Sequence, residues 1–152
     1  MGVQEKMEQG EASIEIAASP ADVLEVITDF AAYPTWAQGV KKAQVRKKDS
    51  RGRPNEVFFE VGQMGIGANY TLSYRYKAKD GGLSWKSTSA SGAVKSIEGE
   101  YVLEPAGKGK TKATYRLKLE PTINLGGFMK RQAERTIINT ALGGLKKRVE
   151  GG

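Results

Sequence analysis

The hydrophobic period of this sequence switches from two to 3.6 at Pro121, and this switch is the strongest indication of its fold. Between residues 40 and 120, apolar residues alternate with polar ones, which is typical of strands with one buried face. After Pro121, apolar residues recur at the spacing of an amphipathic helix. A chain that ends in one long helix after a run of strands is expected to cover the apolar face of its sheet with that helix.

Six strand candidates lie in the alternating region, and turn residues separate them. In the clearest one, 67–78, aromatic and apolar residues hold every second position from Tyr70 to Tyr76. The connections are short and rich in Gly, Asp and Lys, which predicts hairpins and therefore an antiparallel order. The candidates are 40–48, 55–62, 67–78, 83–88, 94–103 and 111–120.

A short strand at 11–17 and two short helices are predicted before the first of these strands. Ser19 is suited to be an N-cap, with Pro20 at the first helical position. A second helical segment follows Asp29 and ends at Pro34, because proline removes a backbone donor. This strand brings the predicted sheet to seven strands.

The long helix is predicted over 125–149, with basic residues near its end that suit the helix dipole. The whole pattern predicts an α+β fold, in which a curved seven-stranded antiparallel sheet wraps around the C-terminal helix. A curved sheet around a single helix leaves an apolar cavity between the two. The apolar stripe expected to face this cavity is Leu125, Met129, Ala133, Ile137, Ala141 and Leu145.

The first ten residues are polar and charged, and they predict a disordered head before one domain at 11–149. They contain no apolar segment like that of a secretory signal. The longest uncharged run, 61–74, is too short and too polar to cross a bilayer. A cytoplasmic protein is therefore expected.

Histidine and cysteine are both absent from the 152 residues, which excludes several kinds of site. A disulfide, a zinc finger, a cysteine nucleophile and a Ser-His-Asp triad all require one of them. Tyr70 or Tyr74 is able to polarise a carbonyl group, but no carboxylate lies clearly on the predicted cavity face. No catalytic residue, metal ligand or cofactor is predicted.

The net charge of +7 is uneven, with −1 over residues 1–76 and +8 over residues 77–152. The cations are scattered, which favours a solvated basic surface, and no recognition helix indicates nucleic-acid binding. Phe128 and Met129 precede Lys130 and Arg131, a pattern that suits transient contact with an anionic membrane. It also suits the ordinary start of an amphipathic helix.

Two segments, Ser19–Val23 and Asp29–Trp36, resemble those of the polyketide cyclase/dehydrase and lipid-transport superfamily in their order and position. This is the START-like, helix-grip fold, which the coenzyme Q-binding proteins share. The resemblance covers about residues 11–149, and it implies a cavity for an apolar ligand. It does not fix the ligand, because members range from carriers to cyclases.

The residues expected to bind the ligand combine apolar walls with a few hydrogen-bonding groups, as ligand sites usually do. An ordinary aromatic core explains any single one of them equally well. The leading hypothesis is a non-enzymatic carrier of a lipid, isoprenoid, quinone or polyketide-like molecule. The alternatives are a polyketide cyclase/dehydrase and a partner-binding module with a small closed pocket. The predicted site residues are Tyr70, Tyr74, Tyr76, Trp85, Phe128, Met129, Ala133 and Ile137.

Overall fold

A computed structural model of the protein describes residues 4–6, 10–63 and 66–151. Its strands are β1 (Gln4–Lys6), β2 (Glu11–Ile16), β3 (Val40–Lys48), β4 (Pro54–Gln63), β5 (Ile66–Tyr76), β6 (Gly82–Gly92), β7 (Val94–Pro105) and β8 (Thr111–Pro121). Its helices are α1 (Pro20–Thr28), α2 (Tyr33–Trp36) and α3 (Gly126–Glu150), with 3-10 turns at Phe30–Ala32 and Ala78–Asp80. Within the described residues, all strands form one antiparallel sheet in the order β1-β2-β8-β7-β6-β5-β4-β3.

This architecture confirms the predicted α+β fold, with a curved antiparallel sheet and a long C-terminal helix. The seven predicted strands are all present. β1 is an eighth strand, so the prediction of a disordered head is wrong for Gln4–Lys6, which pairs with β2. The rest of that head, residues 1–3 and 7–9, lies outside the described residues.

The start of α1 follows its sequence signals closely. Ser19 is the N-cap, and its hydroxyl oxygen accepts a hydrogen bond from the backbone N–H of Asp22 at 3.3 Å. Pro20 occupies the first turn, where no helical hydrogen bond is lost. The helix buries Val23 and Ile27, so α1 contributes to the core beside the sheet.

α3 packs mainly against β2, β8 and α1, but its buried side differs from the predicted stripe. Met129 is 54% exposed and Ile137 is 37% exposed, so neither is among the side chains that α3 buries. A four-residue step advances about 40° beyond one helical turn, so a stripe at that spacing winds around the helix. The side chains that α3 buries are Glu134, Ile138, Leu142 and Leu145.

The two halves of α3 are therefore packed unequally. No side chain before Glu134 is buried, although Ala133 packs against the edge of the core. Phe128 is 64% exposed near the start of the helix. Among the described residues, no helix has the length and apolar character needed to cross a membrane.

Candidate functional site

A row of aromatic side chains crosses the inner face of the sheet, the face that packs against the helices. Tyr74 and Trp85 are direct partners in neighbouring strands, with ring centroids 6.0 Å apart. Tyr101 and Tyr115 are partners in the next pair of strands, and their rings meet edge to face at 4.7 Å. Trp85 joins the two pairs, since its ring lies 5.6 Å from Tyr101 and 5.3 Å from Tyr115.

The row continues into the segment between α1 and β3. The Phe30 ring lies 5.0 Å from the ring of Tyr74 and 6.0 Å from that of Phe59. Phe59 in turn contacts Tyr70 at 5.7 Å, and Tyr33 contacts Phe30 at 5.2 Å. The resemblance segment that begins at Asp29 thus supplies rings to the same surface that the strands line.

Gly99 on β7 makes room for the centre of this row. It lies directly opposite Trp85 in the sheet register. A methyl group at position 99 would lie 2.8 Å from Cζ2 of the indole, closer than side-chain carbons pack. The missing side chain therefore lets the Trp85 ring lie across β7, towards Tyr101 and Tyr115.

The tyrosine hydroxyls of this region fall into two groups. Those of Tyr33 and Tyr76 donate hydrogen bonds to backbone carbonyls, of Ile27 and of Pro54 respectively, the second at 2.7 Å. The others form what we call the tyrosine cluster, and no described residue hydrogen-bonds to their hydroxyls. The tyrosine cluster consists of Tyr70, Tyr74, Tyr101 and Tyr115.

Burial keeps these hydroxyls protonated. Burial raises the pKa of Tyr70 to about 12. It also raises the pKa values of Tyr74, Tyr101 and Tyr115 well above the ordinary value of 10.0. Repulsion from other tyrosine hydroxyls, first that of Tyr33, adds to the pKa increase of Tyr74. At neutral pH the cluster therefore presents uncharged donors.

The predicted site residues on the strands lie on this surface. Tyr74 and Trp85 are buried at the centre of the row, and Tyr70 is half-buried beside them. Tyr76 is half-buried at the end of β5, where the Arg53 guanidinium lies 4.5 Å from its ring centroid. The structure thus brings together Tyr70, Tyr74 and Trp85, while Tyr76 is held at the edge of the sheet.

The predicted site residues on α3 are placed differently. Ala133 is half-buried against the core, but the remaining three side chains are exposed. Their role in ligand binding stays a prediction. The three exposed residues are Phe128, Met129 and Ile137.

Two tyrosines on the inner face of the sheet and one carboxylate on α3 were not among the predicted site residues. Tyr101 and Tyr115 complete the tyrosine cluster, and the alternation of β7 and β8 already places them on the inner face. Glu134 is buried, and its Oε2 accepts a hydrogen bond from the backbone N–H of Leu119 at 2.8 Å. No local signal marks Glu134, because the predicted apolar stripe runs through Ala133 instead.

The opposite, outer face of the sheet carries an open groove of about 390 Å³ over β6, β7 and β8. Charged residues line it, and they are paired with each other. Glu100 accepts from Lys77 at 2.8 Å and from Arg116 at 2.7 Å, and Arg116 also pairs with Glu11. In the described part of the chain, no three acidic side chains are grouped to hold a metal ion.

Residues 7–150 match the family described as polyketide cyclase / dehydrase and lipid transport. The chain belongs to this family. The match spans every element from β2 to α3, which agrees with the extent of the resemblance in the sequence. A search of curated proteins finds no match to the chain.

Solved structures with the same fold come from several bacteria. A START superfamily protein from Mycobacterium smegmatis has a TM-score of 0.86 at 21% identity, and the match covers 93% of this chain and 96% of that chain. The Zhui aromatase/cyclase from Streptomyces sp. R1128 has a TM-score of 0.68 at 14% identity, covering 92% of each chain. A STAR-related lipid transfer protein from Xanthomonas axonopodis has a TM-score of 0.64 at 16% identity, covering 97% of this chain and 91% of that chain. The fold is therefore the START-like, helix-grip fold.

Proposed function

We propose that the protein binds and carries an apolar small molecule between the inner face of the sheet and the first half of α3. The observation that carries this proposal is the aromatic row, which covers the inner face where α3 has no buried side chain before Glu134. Aromatic walls with scattered hydroxyls are typical of sites for lipids, isoprenoids, quinones and polyketide-like molecules. Family membership supports an apolar ligand of this kind.

The second candidate function is a polyketide cyclase/dehydrase that uses the same space. A neutral tyrosine hydroxyl such as that of Tyr74 is able to donate a hydrogen bond to a carbonyl oxygen and polarise it. One structural neighbour is an aromatase/cyclase, which supports this alternative at the level of the fold. Carrying a ligand needs no proton-transfer group, so we place the carrier first.

We also propose that the carrier touches an anionic membrane surface through the start of α3. The large apolar side chains of Phe128 and Met129 are exposed there, next to the basic Lys130 and Arg131. Between residues 121 and 133 the sequence contains no acidic residue. Charge of this sign favours anionic lipids, and it disfavours a second copy of the same helix.

Ala133→Trp tests the carrier function by filling the space beside the half-buried Ala133. Protein purified under native conditions is expected to retain a small apolar molecule, which mass spectrometry detects after extraction. Ala133→Trp should lower the retained amount at least about tenfold, since the indole occupies the volume that the ligand needs. The matched control is Gln132→Trp at the exposed neighbouring position, which should retain the ligand.

Two results would contradict the carrier. One is an empty wild-type protein that also fails to take up any added apolar compound. The other is turnover of a polyketide substrate that disappears in Tyr70→Phe or Tyr74→Phe while binding persists, because a hydroxyl needed only in the transition state indicates catalysis.

A further inference from the structure

The four hydroxyls of the tyrosine cluster have no hydrogen-bond partner among the described residues, although three of these tyrosines are buried and Tyr70 is half-buried. Buried hydroxyls in folded proteins nearly always have a partner, and tyrosine hydroxyls usually find one. Tyr33 and Tyr76 follow this rule through backbone carbonyls. The hydroxyls of the tyrosine cluster do not follow this rule, since none of them has a hydrogen-bond partner among the described residues. The four tyrosines lie on three different strands, β5, β7 and β8.

These hydroxyls border open space. The structure has a few polar side-chain atoms that are shielded from solvent and have no hydrogen-bond partner, but no oxygen of the tyrosine cluster is one of them. Each of these oxygens therefore keeps some surface that a water molecule can reach. Tyr74, Tyr101 and Tyr115 each keep 8% exposure, whereas the neighbouring core residues Val57 and Leu83 keep none. The donors are therefore available to a molecule that occupies the space over the aromatic row.

The charge of the site narrows the chemistry of that molecule. No lysine or arginine is fully buried among the described residues. One guanidinium nitrogen of Arg135 on α3 is shielded from solvent, but that side chain already has a partner. A buried anion without such a partner is strongly disfavoured. Uncharged phenol groups donate hydrogen bonds to carbonyl and hydroxyl oxygens instead. The flat rings of the aromatic row offer a surface on which a flat ring system can pack.

We propose that the tyrosine cluster is an oxygen-recognition subsite, and that the ligand is an uncharged ring compound with carbonyl or hydroxyl groups on its buried edge. This inference rests on the proposed function, because it names the class of molecule that the same space takes. The tyrosine cluster would favour such compounds over plain hydrocarbons and over fatty acids, which also fit an apolar cavity.

The experiment compares three probes with the same ring system: 9,10-anthraquinone, anthracene and anthracene-9-carboxylate. Their affinities are measured by quenching of tryptophan fluorescence in a Trp36→Phe background, where Trp85 is the remaining tryptophan. Anthraquinone should bind more tightly than anthracene, and the carboxylate should bind most weakly. Tyr101→Phe and Tyr115→Phe should each weaken anthraquinone binding about two- to tenfold and leave anthracene binding unchanged.

Tyr76→Phe is the matched control, because its hydroxyl already donates to the Pro54 carbonyl and should not affect the ratio of the two affinities. Equal binding of anthracene and anthraquinone, or equal losses for both in the variants, would overturn the subsite and leave the carrier intact. A molecule extracted from the native protein that lacks oxygen, or that carries an ionised acid, would do the same. Failure of all probes to bind, with no extracted molecule, would overturn the carrier itself.

Discussion

Among the single residues, Glu134 is notable because its side chain accepts a backbone hydrogen bond that a neighbouring strand would otherwise accept. The backbone N–H of Leu117 on β8 donates to the carbonyl of Gly10 at 2.9 Å. Two residues further along the same strand, the N–H of Leu119 donates to the Glu134 carboxylate instead. A side chain of α3 thus satisfies a buried backbone donor, and it anchors the middle of the helix to the sheet.

Removing this carboxylate is expected to destabilise the fold. Glu134→Ala leaves the N–H of Leu119 without a partner and should lower the free energy of unfolding by about 1–3 kcal/mol. Glu134→Gln keeps a carbonyl acceptor and should lower it less. Urea unfolding measures both, with Gln132→Ala at an exposed position of the same helix as the control. Equal losses for Ala and Gln would show that the hydrogen bond to Leu119 is not what matters.

At the scale of elements, α3 consists of an anchored end and a loosely packed end. Near its C-terminus, Lys146 donates to the carbonyl of Glu15 at 2.8 Å, and Glu150 accepts from the N–H of Ala17 at 2.8 Å. The first turn contains no acidic residue to favour the helix dipole. The exposed apolar residues Phe128 and Met129 lie at this less supported end.

Replacing those two residues tests the proposed membrane contact. Phe128→Ser with Met129→Ser should reduce co-flotation with phosphatidylcholine/phosphatidylserine vesicles several-fold, because the side chains that enter the interface are lost. The control is Lys147→Gln with Arg148→Gln, which removes two exposed charges at the other end of the same helix. Binding should also fall with added salt, since anionic lipid attracts the basic residues. Equal losses in both double variants, or equal binding to vesicles without phosphatidylserine, would refute docking through this end.

Across the whole molecule, paired charged residues cover the outer face of the sheet, and neutral tyrosines line its inner face. Hydrogen bonds from Lys77 and Arg116 lower the pKa of Glu100 below its ordinary value. Hydrogen bonds from Lys146 and from the N–H of Ala17 lower the pKa of Glu150 in the same way. Burial moves the pKa values of the tyrosine cluster in the opposite sense, upward. The stability of the fold is therefore expected to depend on pH in both the acidic and the alkaline range.

Stability is expected to fall on both sides of neutral pH. A lowered carboxyl pKa means that the unfolded chain takes up protons first, so stability is lost as the pH falls below the ordinary range for Glu. A raised tyrosine pKa means that the unfolded chain releases protons first, so stability is lost as the pH rises above about 10. Urea midpoints measured from pH 3 to pH 11 check both limbs. Glu100→Gln should flatten the acid limb alone, and an unchanged acid limb in this variant would contradict the role of Glu100.

The predicted and observed strands agree best where the local pattern is strongest. The first strand of the alternating region, 40–48, has the predicted bounds, and β4, β5, β7 and β8 differ from prediction by at most two residues at either end. β6 extends to Gly92, beyond the predicted 83–88, because its Ser- and Ala-rich second half has no alternation to detect. Pairing with β5 makes that half a strand, with a bulge near Thr71.

The local pattern of the sequence predicted the order of the elements from β2 to α3, because periods of two and 3.6 are properties of neighbouring residues. The family was indicated separately, by the resemblance of the segments 19–23 and 29–36. The side of α3 that faces the sheet became clear only from the packing, because a stripe at four-residue spacing winds around the helix. The packing also revealed the carboxylate at position 134 and the four tyrosine hydroxyls that no described residue hydrogen-bonds. Whether a polar atom has a partner depends on residues distant in the chain, and no local pattern records that.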